Sequence, residues 1–312
     1  MKWMQTILLR ISVVCLLLSN PLMRKKAKNM IFEEETLKQK LLTIEEKKIL
    51  DDETFLYTLI DSMMKHIGST DPILRDNLIY SNFSKFINSG AIPQSKAYNM
   101  LEICLDERHL FYKIGEERTD SVFTRSFSSL VVALILTNDD GTFIDAMRLL
   151  EIKTAILEYL DKEKDTRGFV KNKGWAHSIA HGADMLTALV CHAHFHINQL
   201  SDVLKAIETC LLKEVVYQDE EEERLIFAVE ALLEKGMETQ MFISWIKDLS
   251  SNLNKEYIKH GQTMSFYHSK MNVTNFLKSL YFRLKLMNPD KELLECIEHE
   301  IHYWFKESYG QG

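Results

Sequence analysis

Apolar residues recur at helical spacing along most of the 312-residue chain. In "DSVFTRSFSSLVVALIL", Phe123, Phe127, Leu130, Val131 and Leu134 fall at i, i+4, i+7, i+8 and i+11, one stripe of a helix behind Asp120 and Ser121 as caps. "DPILRDNLIYSNFSKFI" repeats the pattern, with Asp71 as cap and Pro72 in the first turn. The helical runs break at Gly90 to Pro93, Gly115, Asn138 to Gly141, Thr166 to Gly168, Gly236 and Asn288-Pro289. No stretch between the breaks alternates with the period of a strand. The pattern predicts an all-α protein.

A longer period lies over the helical one. Arg75, Arg125, His177, Arg224 and Asn272 take equivalent early positions in the first helix of successive pairs, at spacings of 50, 52, 47 and 48 residues. Second helices such as "QSKAYNMLEICL" and "LSDVLKAIETCLL" follow them. A helix pair cannot bury its apolar faces without stacked neighbours, so this spacing predicts an α-solenoid of about five HEAT- or armadillo-like pairs. The expected domain is a single all-helical repeat body over residues 30–312, with a less regular helical bundle as the alternative. Residues 1–29 stand apart. "TILLRISVVCLLL" carries Arg10 in its middle and is shorter than the roughly 20 apolar residues a spanning helix needs. It reads as a signal, as a membrane anchor, or as residues upstream of a true start at Met30. The body is expected in the cytoplasm, or tethered to a membrane if the leader is an anchor.

Composition narrows the function classes. With 46% hydrophobic and 27% charged residues the chain can bury a large core, while only 11 glycines and 4 prolines disfavour folds rich in tight turns. A net charge of −7 argues against a nucleic-acid partner, because non-specific binding of that kind rests on clustered Lys and Arg. Cys15, Cys104, Cys191, Cys210 and Cys296 are too widely spaced for a paired metal or redox motif and read as reduced thiols. Phosphate-binding loops, serine elbows and dinucleotide fingerprints are absent.

The stretch "GWAHSIAHGAD", residues 174–184, carries the candidate chemistry. On a helix wheel with His177 at zero, His181 falls at about +40° and Asp184 at about −20°, while Trp175, Ile179, Leu186 and Val190 fall opposite, with Gly182 on the packing side. The two histidines and the aspartate are therefore expected to project from the body into a groove. Histidines at i and i+4 suit a metal, with Asp184 as a third ligand, but Ser178 stands where a zincin needs glutamate. A polar ligand patch and a solvated face are the other readings. "CHAHFH" at 191–196 reads as a helix C-terminus, where cations are favoured, before it reads as a metal tract. "DEEEERL" at 219–225 reads as a solvated helix start with Asp219 as cap.

Taken together, "DSVFTRSFSSLVVALIL", "EKDTRGFVKNKGWAHSIAHGADML" and "DEEEERL" resemble a bacterial family, domain of unknown function 2785, over roughly residues 71–304. The resemblance implies an all-helical, HEAT-like fold and no established activity. It also implies that Asp120, Arg125, Gly168, Lys173, Trp175, His177, His181, Gly182 and Asp184 are signature positions. The expected function is a binding or scaffold module without a cofactor. Its groove, lined by Asp120, Arg125, Lys173, Trp175, His177, His181 and Asp184, would take a protein, a peptide or a small ligand. The alternative is a metal-dependent hydrolase, with a divalent metal such as zinc on His177, His181 and Asp184 and with Arg125 stabilising developing negative charge.

Overall fold

In the computed structural model, residues 31–43, 52–287 and 290–310 are described. The apolar leader at 1–29, the candidate start Met30 and the break at Asn288-Pro289 lie outside the described residues. The chain divides into two compact units, Met1–His66 and Ile67–Gly312.

The first unit contains α1 (Glu34–Thr43) and α2 (Glu53–Lys65). Asp52 caps α2 by accepting from Phe55 N, and Phe32 packs on Phe55 at 6.1 Å between ring centroids. Ser62 Oγ and His66 Nε2 bond the backbone N–H and carbonyl of Phe32, so the segment entering α1 is pinned to the end of α2.

The second unit opens with a π-helix, Ile73–Tyr80, that runs into α3 (Ser81–Asn88). Asp71 caps it as the sequence predicts, accepting from Ile73 N at 2.9 Å, but the following turns are wider than α-helical. Segments of this kind are rare and are frequently found at functional sites. After it come α4 (Gln94–Cys104), α5 (Ser121–Asn138), α6 (Ala146–Lys162), α7 (Ser178–Cys191), α8 (Leu200–Leu211), α9 (Glu221–Glu234), α10 (Thr239–His260), α11 (Met264–Leu286) and α12 (Lys291–Tyr309). The protein is thus largely helical, as predicted. α7 is the centre of the packing: it lies against α5 on one side and α9 on the other, with α6 behind it, while α9 continues to α11. α5 is long and apolar enough to cross a membrane by length and composition, yet most of it is buried inside this unit. It is a core helix.

The sequence pattern misses one element. Residues 169–170 (β1) and 174–175 (β2) form a two-stranded antiparallel hairpin, with Phe169 opposite Trp175 and Val170 opposite Gly174. Asn172 (φ +65°) and Gly174 (φ +76°) supply the left-handed positions that so tight a turn needs. A Cβ on Gly174 would also lie 2.8 Å from Pro72 Cβ and 3.1 Å from Arg75 Nη2, so the hairpin can sit against the π-helix only with glycine there.

Gly182 is buried on the packing side of α7, as the wheel places it. A Cβ there would lie 2.7 Å from Leu160 Cδ2 and 3.1 Å from Tyr159 Cε1, both on α6. Tyr159 cannot yield freely, because it is fully buried and its hydroxyl donates to Ser178 O at 3.1 Å. Gly182→Leu is therefore expected to lower stability by about 1–3 kcal/mol in urea unfolding, overpacking outweighing leucine's better helix propensity of about 1 kcal/mol. A variant as stable as the parent would show that α6 and α7 do not approach closely at this point.

Candidate functional site

The geometry around α7 starts from the hairpin. The turn directs the chain so that Ala176 N and His177 N bond back to Gly168 O and Arg167 O at 2.8 and 3.0 Å. His177 becomes the N-cap of α7 in a left-handed conformation (φ 47°, ψ 39°) rather than a residue within the helix. The wheel, which continues the helix back through Gly174, consequently misplaces Trp175. Instead of entering the core, Trp175 is 42% exposed, with its ring stacked on His177 at 4.4 Å and edge-on to Phe169 at 5.0 Å.

His177 turns its Nδ1 toward Glu221 Oε1, 3.5 Å away, a distance too long for a good hydrogen bond. Glu221 is 1% exposed, so "DEEEERL" is not the solvated helix start that its composition suggests. Nor is Asp219 the cap: Glu220 takes the cap position, while Asp219 accepts from Phe169 N at 3.0 Å and so ties the hairpin to the start of α9.

His181 is half-buried, one turn on from His177 and 5.7 Å from it between ring centroids. The edge of Phe127 meets it at 5.3 Å, and Ser126 Oγ lies 2.8 Å from its Nδ1. Ser126 has one hydroxyl hydrogen, and it is donated to Ala176 O. His181 Nδ1 must therefore carry the proton and donate to Ser126, which leaves Nε2 as the lone-pair nitrogen. Burial, reinforced by the neighbouring His177 and Arg224, holds the His181 pKa well below the usual histidine range. The ring is neutral at pH 7, and its Nε2 has no hydrogen-bond partner among the described residues.

Asp184 accepts from Arg224 Nη2 at 2.7 Å. Burial raises its pKa, and the bond to Arg224 opposes that rise. The π-helix completes the cluster with Asp76 and Tyr80, whose pKa values are likewise raised by burial. Asp76, Tyr80, Glu221 and Arg224 are not among the residues the sequence singles out for the site. Only the i, i+4 spacing of Asp76 and Tyr80 could have hinted at that pair, and their π-helical geometry could not be read from it.

Other predicted groove residues go elsewhere. Arg125 is fully buried and does not face the groove. Its guanidinium forms a bidentate pair with Glu163, at 2.6 and 2.8 Å, and donates to the carbonyls of Tyr112, Lys113 and Glu116 and to Ser121 Oγ. That commitment also removes it as a stabiliser of charge on a ligand. Asp120 takes the cap position of α5, but its carboxylate makes no capping bond; both its oxygens meet Lys173 Nζ at 2.6 Å, in an exposed ion pair at the edge of the hairpin. The three expected metal ligands diverge, since His177 faces Glu221 and Asp184 is held by Arg224. No group of three His, Cys, Asp or Glu among the described residues is placed to hold a metal ion. In "CHAHFH", His192 is buried and bonds Asp139 Oδ2 at 3.1 Å, and His194 bonds Gly141 O at 2.9 Å. These histidines staple the end of α7 to the loop after α5. The thiols of Cys104 and Cys210 are buried and, in the case of Cys210, pushed up to about 11, so neither is an activated nucleophile.

The fold and the site together define a largely helical protein in which a buried polar cluster gathers around α7 behind a small hairpin. Residues 110–282, more than half of the chain, match the family described as "Protein of unknown function (DUF2785)", and the chain belongs to that family. The hairpin, α7 and every residue that carries the resemblance lie inside the match. No curated protein and no solved structure matches the chain.

Two outcomes separate structural from accessible charge here. Glu163→Gln should cost about 3–5 kcal/mol in urea unfolding, because it strands the Arg125 charge in the core. Asp184→Ala, which breaks a partly exposed pair, should cost no more than about 1 kcal/mol. Equal losses would contradict this division. The pH dependence has a definite sign. The folded protein resists the proton that an unfolded histidine takes up near pH 6.5, so the contribution of His181 is full above that pH and is lost as the pH falls toward its folded value. The raised carboxylates Asp76, Asp184 and Glu222 act in the opposite sense at lower pH, gaining stability as they protonate. Melting temperatures between pH 7.5 and 5.5 should therefore fall less steeply for His181→Gln than for the parent, and parallel curves would refute the assignment.

Proposed function

We propose that the protein is a binding module of the helical-repeat type, and that its ligand is received by the cluster of Asp76, His177, His181, Asp184, Glu221 and Arg224. One observation carries this reading. His177 Nδ1 and Glu221 Oε1 are buried and face each other at 3.5 Å without a hydrogen bond, and Glu222 Oε2 is likewise buried without a hydrogen-bond partner. Leaving such a group unsatisfied costs about 1–3 kcal/mol, and native proteins keep few of them. The unsatisfied His177–Glu221 pair, one helical turn from the Nε2 of His181 and with Trp175 exposed at the margin, suits a ligand that supplies both donors and acceptors. A peptide segment or a small polar ligand has that chemistry. The net charge of −7 supports such a partner over a nucleic acid.

The repeat reading is supported by what the equivalent positions do. Arg75 binds the carbonyls of Ser69 and Lys173, Arg125 those of Tyr112, Lys113 and Glu116, and Asn272 that of Val215. Each of these buried side chains ties its helix to a connecting segment, and α5, α7, α9 and α11 pack in sequence, each against the next. We take this as five stacked pairs in solenoid fashion. The wide cysteine spacing favours a reducing, cytoplasmic setting for the body.

The reading is tested by a thermal-shift panel of free amino acids, amines, saccharides and short peptides on the full chain. At least one class should raise the melting temperature, since a ligand at a hundred times its Kd stabilises by about 2.7 kcal/mol. The increase should vanish in His181→Gln and Arg224→Gln. A ligand that stabilises these variants as well as the parent, or a panel without any stabilising member, would overturn it.

A further inference from the structure

A second concavity lies away from this cluster, where the C-terminal half of α10 faces α11 and α12. It is a cleft of about 660 Å³, within the roughly 300–1,000 Å³ typical of small-molecule sites. Its floor is aromatic. Tyr257 and Phe266 meet at 5.0 Å between ring centroids, and Phe266 and Trp304 at 6.2 Å. Trp304 is almost fully buried and its indole N–H is spent on Ser250 Oγ at 2.8 Å, so the ring offers the cleft an apolar surface. The walls stay open to solvent despite their apolar character: Tyr267, Met271 and Phe305 are 42%, 48% and 48% exposed.

The charge at this cleft is opposite to that of the protein. The chain as a whole carries −7, yet the lining holds two cations, Lys270 and Lys278, against the single carboxylate of Glu307. Both ammonium groups are drawn in over aromatic faces. Lys270 Nζ lies 5.9 Å from the Tyr267 centroid and 6.0 Å from that of Trp304, and Lys278 Nζ lies 5.6 Å from that of Phe305. Burial lowers the Lys270 pKa, with Glu307 acting against that shift. A cation held at the edge of an aromatic floor gains from an anion that arrives with its own apolar body, since the body covers the rings while the anion meets the charge.

We propose that this cleft binds a small amphipathic carboxylate, its apolar body on the rings of Tyr257, Phe266 and Trp304 and its carboxylate at Lys270, with Lys278 adding positive field from two helical turns away. The site is independent of the cluster on α7 and shares no residue with it.

Titration calorimetry of the full chain with decanoate tests this, using decanol and decyl phosphate as comparisons. Decanoate should bind saturably at one site, with decanol at least about tenfold weaker, the equivalent of 1.4 kcal/mol. Lys270→Met should erase most of that preference while leaving decanol binding unchanged. Glu307→Gln should tighten decanoate binding by removing the competing charge. Thr274→Trp, which fills the cleft from α11, should abolish binding of both ligands at an unchanged melting temperature. Equal affinity for decanoate and decanol would overturn the proposal, as would undiminished decanoate binding by Lys270→Met, which reports even if Thr274→Trp fails to fold. Preference for decyl phosphate over decanoate would overturn the carboxylate assignment. Concentration-dependent dimerisation without decanoate binding would show that the exposed aromatic face serves a second copy of the chain instead.

Discussion

The arrangement around α7 depends on one buried cation. Arg75, fully enclosed, lies between the faces of Phe123 and Phe127, with its guanidinium carbon 4.2 and 4.7 Å from the ring centroids. It reaches the carbonyl oxygens of Ser69, Lys173 and Trp175 and the carboxylate of Asp76. Burial lowers its pKa, and Asp76 opposes that shift. A buried charge is tolerated only when it is paired and hydrogen-bonded, and the partners Arg75 requires are the backbone of the hairpin that precedes α7. The hairpin in turn sets His177 in its left-handed cap, which aims the imidazole at Glu221 and stacks Trp175 upon it. Thus a desolvation constraint in the first helix of the second unit decides where a residue a hundred positions later points.

The same economy of buried charge recurs at Arg125, with a different consequence. Arg75 holds together the segments around the polar cluster, whereas Arg125 and Glu163 satisfy each other completely and leave nothing to offer a ligand. Two buried arginines can therefore serve related structural ends and still differ in their relation to the site. The cluster itself is unusual in the opposite way: its carboxylates and imidazoles are buried but only partly paired. Groups with displaced pKa values and unspent hydrogen-bonding capacity concentrate at functional sites, and α7 gathers them on the face that meets the π-helix and α9.

Much of this was legible in the chain. The cap at Asp71, the apolar stripe of α5, the break at Gly236 and the packing role of Gly182 all follow from local rules that act within a few residues. The residues of "GWAHSIAHGAD" do mark the centre of the polar cluster. Two errors trace to one cause, the assumption that the helical period extends back to Gly174. Had "VKNKGW" been read as a turn, with asparagine and glycine as its left-handed residues, Trp175 would have been placed outside the core and His177 at the cap.

What the sequence determined by itself is therefore the helical class, the apolar stripe of α5, the cap at Asp71 and the neighbourhood of the candidate chemistry, because periodicity, capping and turn preference are local energies written in adjacent residues. The tertiary structure alone decided which polar side chains were spent and which were left available. Arg125 looks like a groove residue and is consumed by Glu163, Glu221 looks solvated and is buried beside His177, and Asp184 looks like a metal ligand and is held by Arg224. Each of those outcomes depends on a partner about 40 or more positions away, and on the cost of removing charge from water, which no local pattern records.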